Sequence, residues 1–145
     1  MQIKVVTSSQ RVALPSYGSE GAAGMDLRAF LESDVSLKPL ERAKIPTGLI
    51  IEIPQGFEGQ VRPRSGLAYK SGLTVLNSPG TIDCDYRGEI SIILVNLGSD
   101  DVTIRDGDRI AQLVISPVCR VKAVRTDVLE PSRRGAGGFG STGTQ

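Results

Sequence analysis

The chain has 145 residues, a formal net charge of +1, no histidine and two cysteines. That length suits one domain with a real but small core, and the near-zero charge sets up no field toward nucleic acid or a membrane surface. The lack of histidine excludes Ser-His-Asp and Cys-His catalysis and every histidine metal site.

The N-terminal Met1-Gln2-Ile3-Lys4-Val5-Val6 reads as an edge strand, not as a signal peptide. No run approaches the roughly 20 apolar residues that span a bilayer. Cys84 and Cys119 are too distant in sequence for a zinc knuckle and read as reduced thiols. Together these features predict a cytoplasmic protein without a membrane span.

Helical periodicity is nearly absent, and short β-branched runs recur between Gly, Pro, Asp and Asn. Strands are expected at 3–6, 24–28, 35–37, 42–46, 48–53, 57–63, 73–75, 80–82, 89–96, 102–104, 110–117 and 121–124. Sheets that pair distant segments would give an all-β, distorted jelly-roll or barrel-like domain over 1–130. One short helix starts at Ser65, a good N-cap residue, and ends near Gly72. Its first-turn N–H groups face an anion well.

The stretch from Asn77 to Glu89 is polar and rich in turn residues, with apolar runs on both sides. Strand, tight turn, strand is the local reading, with Pro79-Gly80 as the turn dipeptide. Residues 131–145 form a glycine-rich arm whose one large apolar side chain is Phe139. Such an arm cannot bury enough surface to fold alone.

Five stretches carry chemistry, and each also has a plainer reading. Asp26 sits within an apolar strand and alone is a capping acid. Arg64, Ser65 and Gly66 open the helix, either as an ordinary cap or as a phosphate cradle. Asp83 and Asp85 lack the further ligands of a metal cage; one working acid, Asp83, and one solvated acid is the simpler assignment. Tyr86 is a stacking face or a half-buried strand aromatic. Gln112 is an amide on an apolar strand. The arm is a tail, a single-strand binder with one basic-aromatic unit, or a set of backbone amides closing on an anion.

In order and spacing, these stretches resemble the motifs of the trimeric dUTPase family. The match runs from Ala22 to Thr142, through Pro63-Arg-Ser-Gly-Leu-Ala, Asn77-Ser-Pro-Gly-Thr-Ile-Asp, Asp85-Tyr-Arg-Gly-Glu, Arg109-Ile-Ala-Gln-Leu and Arg134-Gly-x-Gly-Gly-Phe-Gly-Ser-Thr-Gly. The resemblance implies a jelly-roll protomer, a homotrimer and active sites shared between chains. It implies conversion of dUTP and water to dUMP and diphosphate, lowering dUTP and supplying dUMP for thymidylate synthesis. Mg²⁺ would be held mainly by the triphosphate, with Asp26 holding one of its waters. Asp83 would be the base for the attacking water. Arg64, Ser65, Gly66 and Gln112 would contact phosphates. Asn77, Thr81 and Ile82 would read uracil, Tyr86 would exclude a 2′-OH, and Ser91 would touch the base. Arg134, Gly140, Ser141 and Thr142 would close over the β- and γ-phosphates, with Phe139 stacked on uracil. The alternatives are a dCTP deaminase relative, for which the hairpin lacks an acid at the exocyclic amine, and a non-catalytic nucleotide sensor.

Overall fold

The computed structural model describes residues 1–138. Along the chain lie β1 (Lys4–Thr7), β2 (Ser16–Tyr17), β3 (Met25–Arg28), β4 (Val35–Leu37), β5 (Arg42–Pro46), β6 (Leu49–Glu52) and β7 (Phe57–Arg62). The helix α1 (Ser65–Ser71) follows, then β8 (Leu73–Val75), β9 (Gly80–Ile82), β10 (Ser91–Asn96), β11 (Val102–Ile104) and β12 (Arg109–Pro117). Eleven of the twelve expected strands are present, so the discrepancies can be traced to particular residues.

The strands form four sheets, ordered β1–β6, β5–β10–β8, β11–β4 and β2–β3–β12–β7–β9. Every pairing is antiparallel. Among the described residues only β2 and β3 pair as consecutive strands, so the domain is a distorted jelly roll and not a meander. Strand alternation sorts the side chains. In β3, Met25 and Leu27 enter the core, while Asp26 is half-buried and Arg28 exposed. Leu27, Ile45, Leu49, Ile51, Ile90, Ile92, Leu94 and Leu113 are essentially solvent-free. Each such side chain contributes about 1.5–3 kcal/mol relative to exposure.

The stretch after β8 departs from a simple hairpin. The apolar flanks do pair, with Leu94 opposite Val75. The intervening chain, however, does not join them as one hairpin. It carries β9 across to β7, in the other sheet, with Thr81 opposite Gln60. Gly80 is extended, not in the positive-φ region. Its value is space, because a Cβ there would lie 3.3 Å from Val61 Cβ and 3.2 Å from Asn77 Nδ2.

Three further expectations change. Residues 121–124 form no strand; Val121 and Val124 are 86% and 75% exposed. β-branched residues favour a strand only where a ladder receives them, and residues 117–136 are exposed throughout. β2, which was not expected, is a two-residue polar strand docked on β3. At the helix start, Arg64 takes the N-cap position without a side-chain cap, and Ser65 is already helical. The helix does end at Gly72, which has φ 66° and donates its N–H to Ala68 O at 3.1 Å.

Asn96 is a buried polar hub at the end of β10. Its amide donates to Leu37 O at 2.9 Å and to Asp100 O at 2.8 Å, and its Oδ1 accepts from Gly98 N at 2.9 Å. Asn96→Ala strands these partners and is expected to cost about 1–3 kcal/mol. A lowered urea midpoint, at fixed protein concentration, checks this.

Candidate active site

The predicted residues collect in two separate pockets of one chain. The first, of about 470 Å³, lies between β3, β12 and the start of α1. Antiparallel register sets Gln112 opposite Asp26 on one side and Arg62 on the other. Gln112 Nε2 donates to Pro63 O at 2.9 Å, tying β12 to the chain that enters α1. Gly24 makes room for this amide, since a Cβ there would collide with Gln112 Oε1.

Asp26 is the electrostatic centre of this pocket. Its carboxylate pairs with Arg64 Nε at 3.3 Å and Arg109 Nη1 at 3.2 Å. Arg64 also donates through Nη1 to Arg109 O at 3.2 Å. Lys70 lines the same pocket, so three cations face one carboxylate. The uncompensated positive charge suits an anionic ligand. Ser65 and Gly66 are exposed at its edge. Nothing lies within 4 Å of where a Gly66 Cβ would sit, so a ligand can approach the backbone there.

The second pocket, of about 290 Å³, opens between two sheets. Thr81, Ile82, Asp83 and Tyr86 line one side, and Lys44, Ser91 and Ile93 come from β5 and β10. Asp83-Cys84-Asp85-Tyr86 is a turn closed by Tyr86 N donating to Asp83 O at 3.1 Å. Tyr86 Oη donates to Glu89 O at 3.1 Å. Gly88 lies against the tyrosine ring, where a Cβ would overlap Cζ and Oη. Glu89 Oε1 accepts from Gly48 N at 2.7 Å, and Thr47 Oγ1 donates to Ile90 O at 2.6 Å. Asp83 is exposed and forms no ion pair among the described residues.

Thus Asp26, Arg64, Ser65, Gly66 and Gln112 come together, as do Thr81, Ile82, Asp83, Tyr86 and Ser91. The two groups do not meet. β3 and β9 stand three strands apart in one sheet, about 14 Å at ordinary strand spacing. Asn77 is exposed and lies outside the lining of the second pocket. Arg134 lines neither pocket; its Nε donates to Gly137 O at 2.7 Å. Phe139, Gly140, Ser141 and Thr142 lie outside the described residues. Arg109, Lys70, Lys44 and Glu89 were not among the expected site residues. Lys70 carried a signal, since its spacing from Gly66 puts both on one helix face.

A family model described as dUTPase matches residues 10–143. The chain is 59% identical over 145 residues to the deoxyuridine 5'-triphosphate nucleotidohydrolase of Aquifex aeolicus (strain VF5), covering 100% of this chain and 97% of that one. It is 58% identical over 134 residues to the protein of the same name from Rhizobium meliloti (strain 1021), covering 91% and 84%. The Staphylococcus bacteriophage 80alpha dUTPase with dUpNHpp superimposes with a TM-score of 0.89 at 28% identity, over 99% of each chain. A mutant dUTPase from phage phi11 of S. aureus, solved for its coordination of a structural Mg(II) ion, gives a TM-score of 0.81 at 25% identity over 90% and 100%.

Gly24→Ala is expected to displace Gln112 from Pro63 and cost about 1–3 kcal/mol by overpacking. Gly66→Ala, facing open space, should stay within about 0.5 kcal/mol of the parent. Urea unfolding of the two variants separates these outcomes.

Proposed function

The chain belongs to the dUTPase family and hydrolyses dUTP, and we propose that its two pockets are halves of a composite site completed between copies in a homotrimer. The observation that carries this reading is their separation. The cationic pocket and the pocket holding Asp83 lie on different parts of one chain, and each is open. A nucleoside triphosphate needs a base pocket and a charge-neutralising pocket adjacent to each other. Juxtaposition across subunits supplies that, and the exposed residues 117–136 can carry the arm, 131–145, toward a neighbour.

The chemistry divides by residue. Asp83 orients and deprotonates a water for attack on the α-phosphorus, giving dUMP and diphosphate. Arg64, Ser65, Gly66 and Gln112 bind phosphate oxygens, and Arg109 joins them from the same pocket. Asn77 and the backbone of Thr81 and Ile82 read the uracil edge, with Ser91 beside the base. Tyr86 fills the space a 2′-OH would need. Arg134, Gly140, Ser141 and Thr142 close on the outer phosphates, and Phe139 covers the base.

Mg²⁺ fits as an ion that arrives with the triphosphate. Among the described residues no group of three or more acidic or thiol side chains could hold a metal, and both oxygens of Asp26 already face guanidinium groups. Asp26 would hold a metal-bound water once phosphates draw those arginines away. When bound, the ion supplies neutralisation of triphosphate charge.

No helix of the described residues is long and apolar enough to cross a membrane. Both cysteines are free, which supports a cytoplasmic location.

Asp83→Asn should lower turnover by roughly 10² or more while leaving nucleotide binding in place; steady-state diphosphate release and dUTP-analogue titration read the two. The shared site has its own test. Arg64→Ala and Asp83→Asn chains, each nearly inactive alone, are unfolded together and reassembled in equal amounts. If Arg64 and Asp83 act from different subunits, about a quarter of sites regain both groups by random assortment. No recovery would place both residues of a site on one chain.

A further inference from the structure

We infer that Arg87 is a positioning residue: its guanidinium braces the turn carrying Asp83 and Tyr86 and ties that turn to the β1–β6 ladder through Glu52. The inference rests on the reading of that turn as the catalytic one. Arg87 Nη1 donates to Cys84 O and to Tyr86 O, each at 2.8 Å. Both carbonyls belong to the four-residue turn that the Tyr86 N–H closes onto Asp83 O. One cationic nitrogen therefore fixes two peptide planes, Cys84–Asp85 within the turn and Tyr86–Arg87 at its end. Charge-assisted bonds are the stronger class, and here they hold backbone, not a mobile side chain.

The other nitrogen, Nη2, faces Glu52 Oε2 at 3.9 Å. Glu52 is in turn held by Lys4, whose Nζ donates to Oε1 at 2.8 Å. Lys4 and Glu52 are also register partners across the β1–β6 ladder. The Lys4 ammonium holds the Glu52 carboxyl below its ordinary value. Arg87 itself lines neither the phosphate pocket nor the base pocket. It acts on the reaction through the backbone beneath Asp83 and Tyr86.

A planar fork suits this task because it serves two carbonyls and a carboxylate at once. A lysine offers three donors from one point. It can still serve the two carbonyls but loses the reach toward Glu52.

The test uses the full-length protein. Arg87→Gln, Arg87→Lys and Glu52→Gln are compared for kcat and KM with dUTP and with UTP, alongside thermal midpoints. Losing charge-assisted bonds of a half-exposed group should lower kcat for dUTP and the dUTP-to-UTP preference by about tenfold each in Arg87→Gln. KM for dUTP should change far less. Arg87→Lys should recover most of both losses, and Glu52→Gln should show a smaller loss in the same direction with Arg87 intact. Unchanged kcat and preference in Arg87→Gln would overturn the inference, whatever the melting temperature does. If Arg87→Gln fails to fold, wild-type kcat and preference in Glu52→Gln would overturn it instead. Full activity of Asp83→Asn would mean that the reading of the turn as catalytic has failed. An inactive Asp83→Asn beside kinetically normal Arg87 variants would remove the role of Arg87 alone.

Discussion

The transfer of β9 from the neighbourhood of β8 to the edge of β7 is the constraint on which the pocket beside Asp83 depends. β8 and β10 pair with each other, and a chain taking the shortest path between them would leave no room for a pocket. By pairing with β7 instead, β9 hangs the turn 83–86 between two sheets. The pocket is therefore walled by both, with Thr81 and Ile82 on one side and Ser91 and Ile93 on the other. Small residues allow the close approach. A Cβ at Gly59 would lie 3.2 Å from Ile82 Cβ, and one at Gly80 would lie 3.3 Å from Val61 Cβ. A side chain at either position would have to displace these neighbours by a few tenths of an ångström.

The cationic pocket is organised by a different force. In the single chain Asp26 satisfies Arg64 and Arg109 together. These pairs are partly exposed, so they add little to stability. Their effect is to hold two guanidinium groups in place around one carboxylate, and with Lys70 the pocket keeps a net positive charge.

Much of the fold was legible in the chain because strand alternation is a local signal. The half-buried Asp26 between buried Met25 and Leu27 follows from period-two spacing alone. The candidate site residues stood out because polar, turn-rich motifs interrupt apolar runs, and most of the described ones line the two pockets. The misses share a cause. Residues 121–124 have strand composition but no ladder among the described residues. Ser65 has cap chemistry, yet Arg64 occupies the cap position. The chain from Asn77 to Glu89 reads as one hairpin locally, although β9 pairs with a strand some 20 residues earlier. In each case a local preference alone did not decide the structure, and for the two strands the presence or position of a ladder did.

By itself the amino-acid order determined an all-β domain, its family motifs, and the absence of histidine chemistry. Only the tertiary structure decided how those groups are distributed. It put Asp26, Arg64 and Gln112 in one pocket and Asp83 and Tyr86 in another. It also set Arg87 beneath the turn, within reach of Glu52. The reason is that residue type and spacing encode which face a side chain takes, whereas strand order depends on contacts between segments far apart in the chain, whose energies no local window contains.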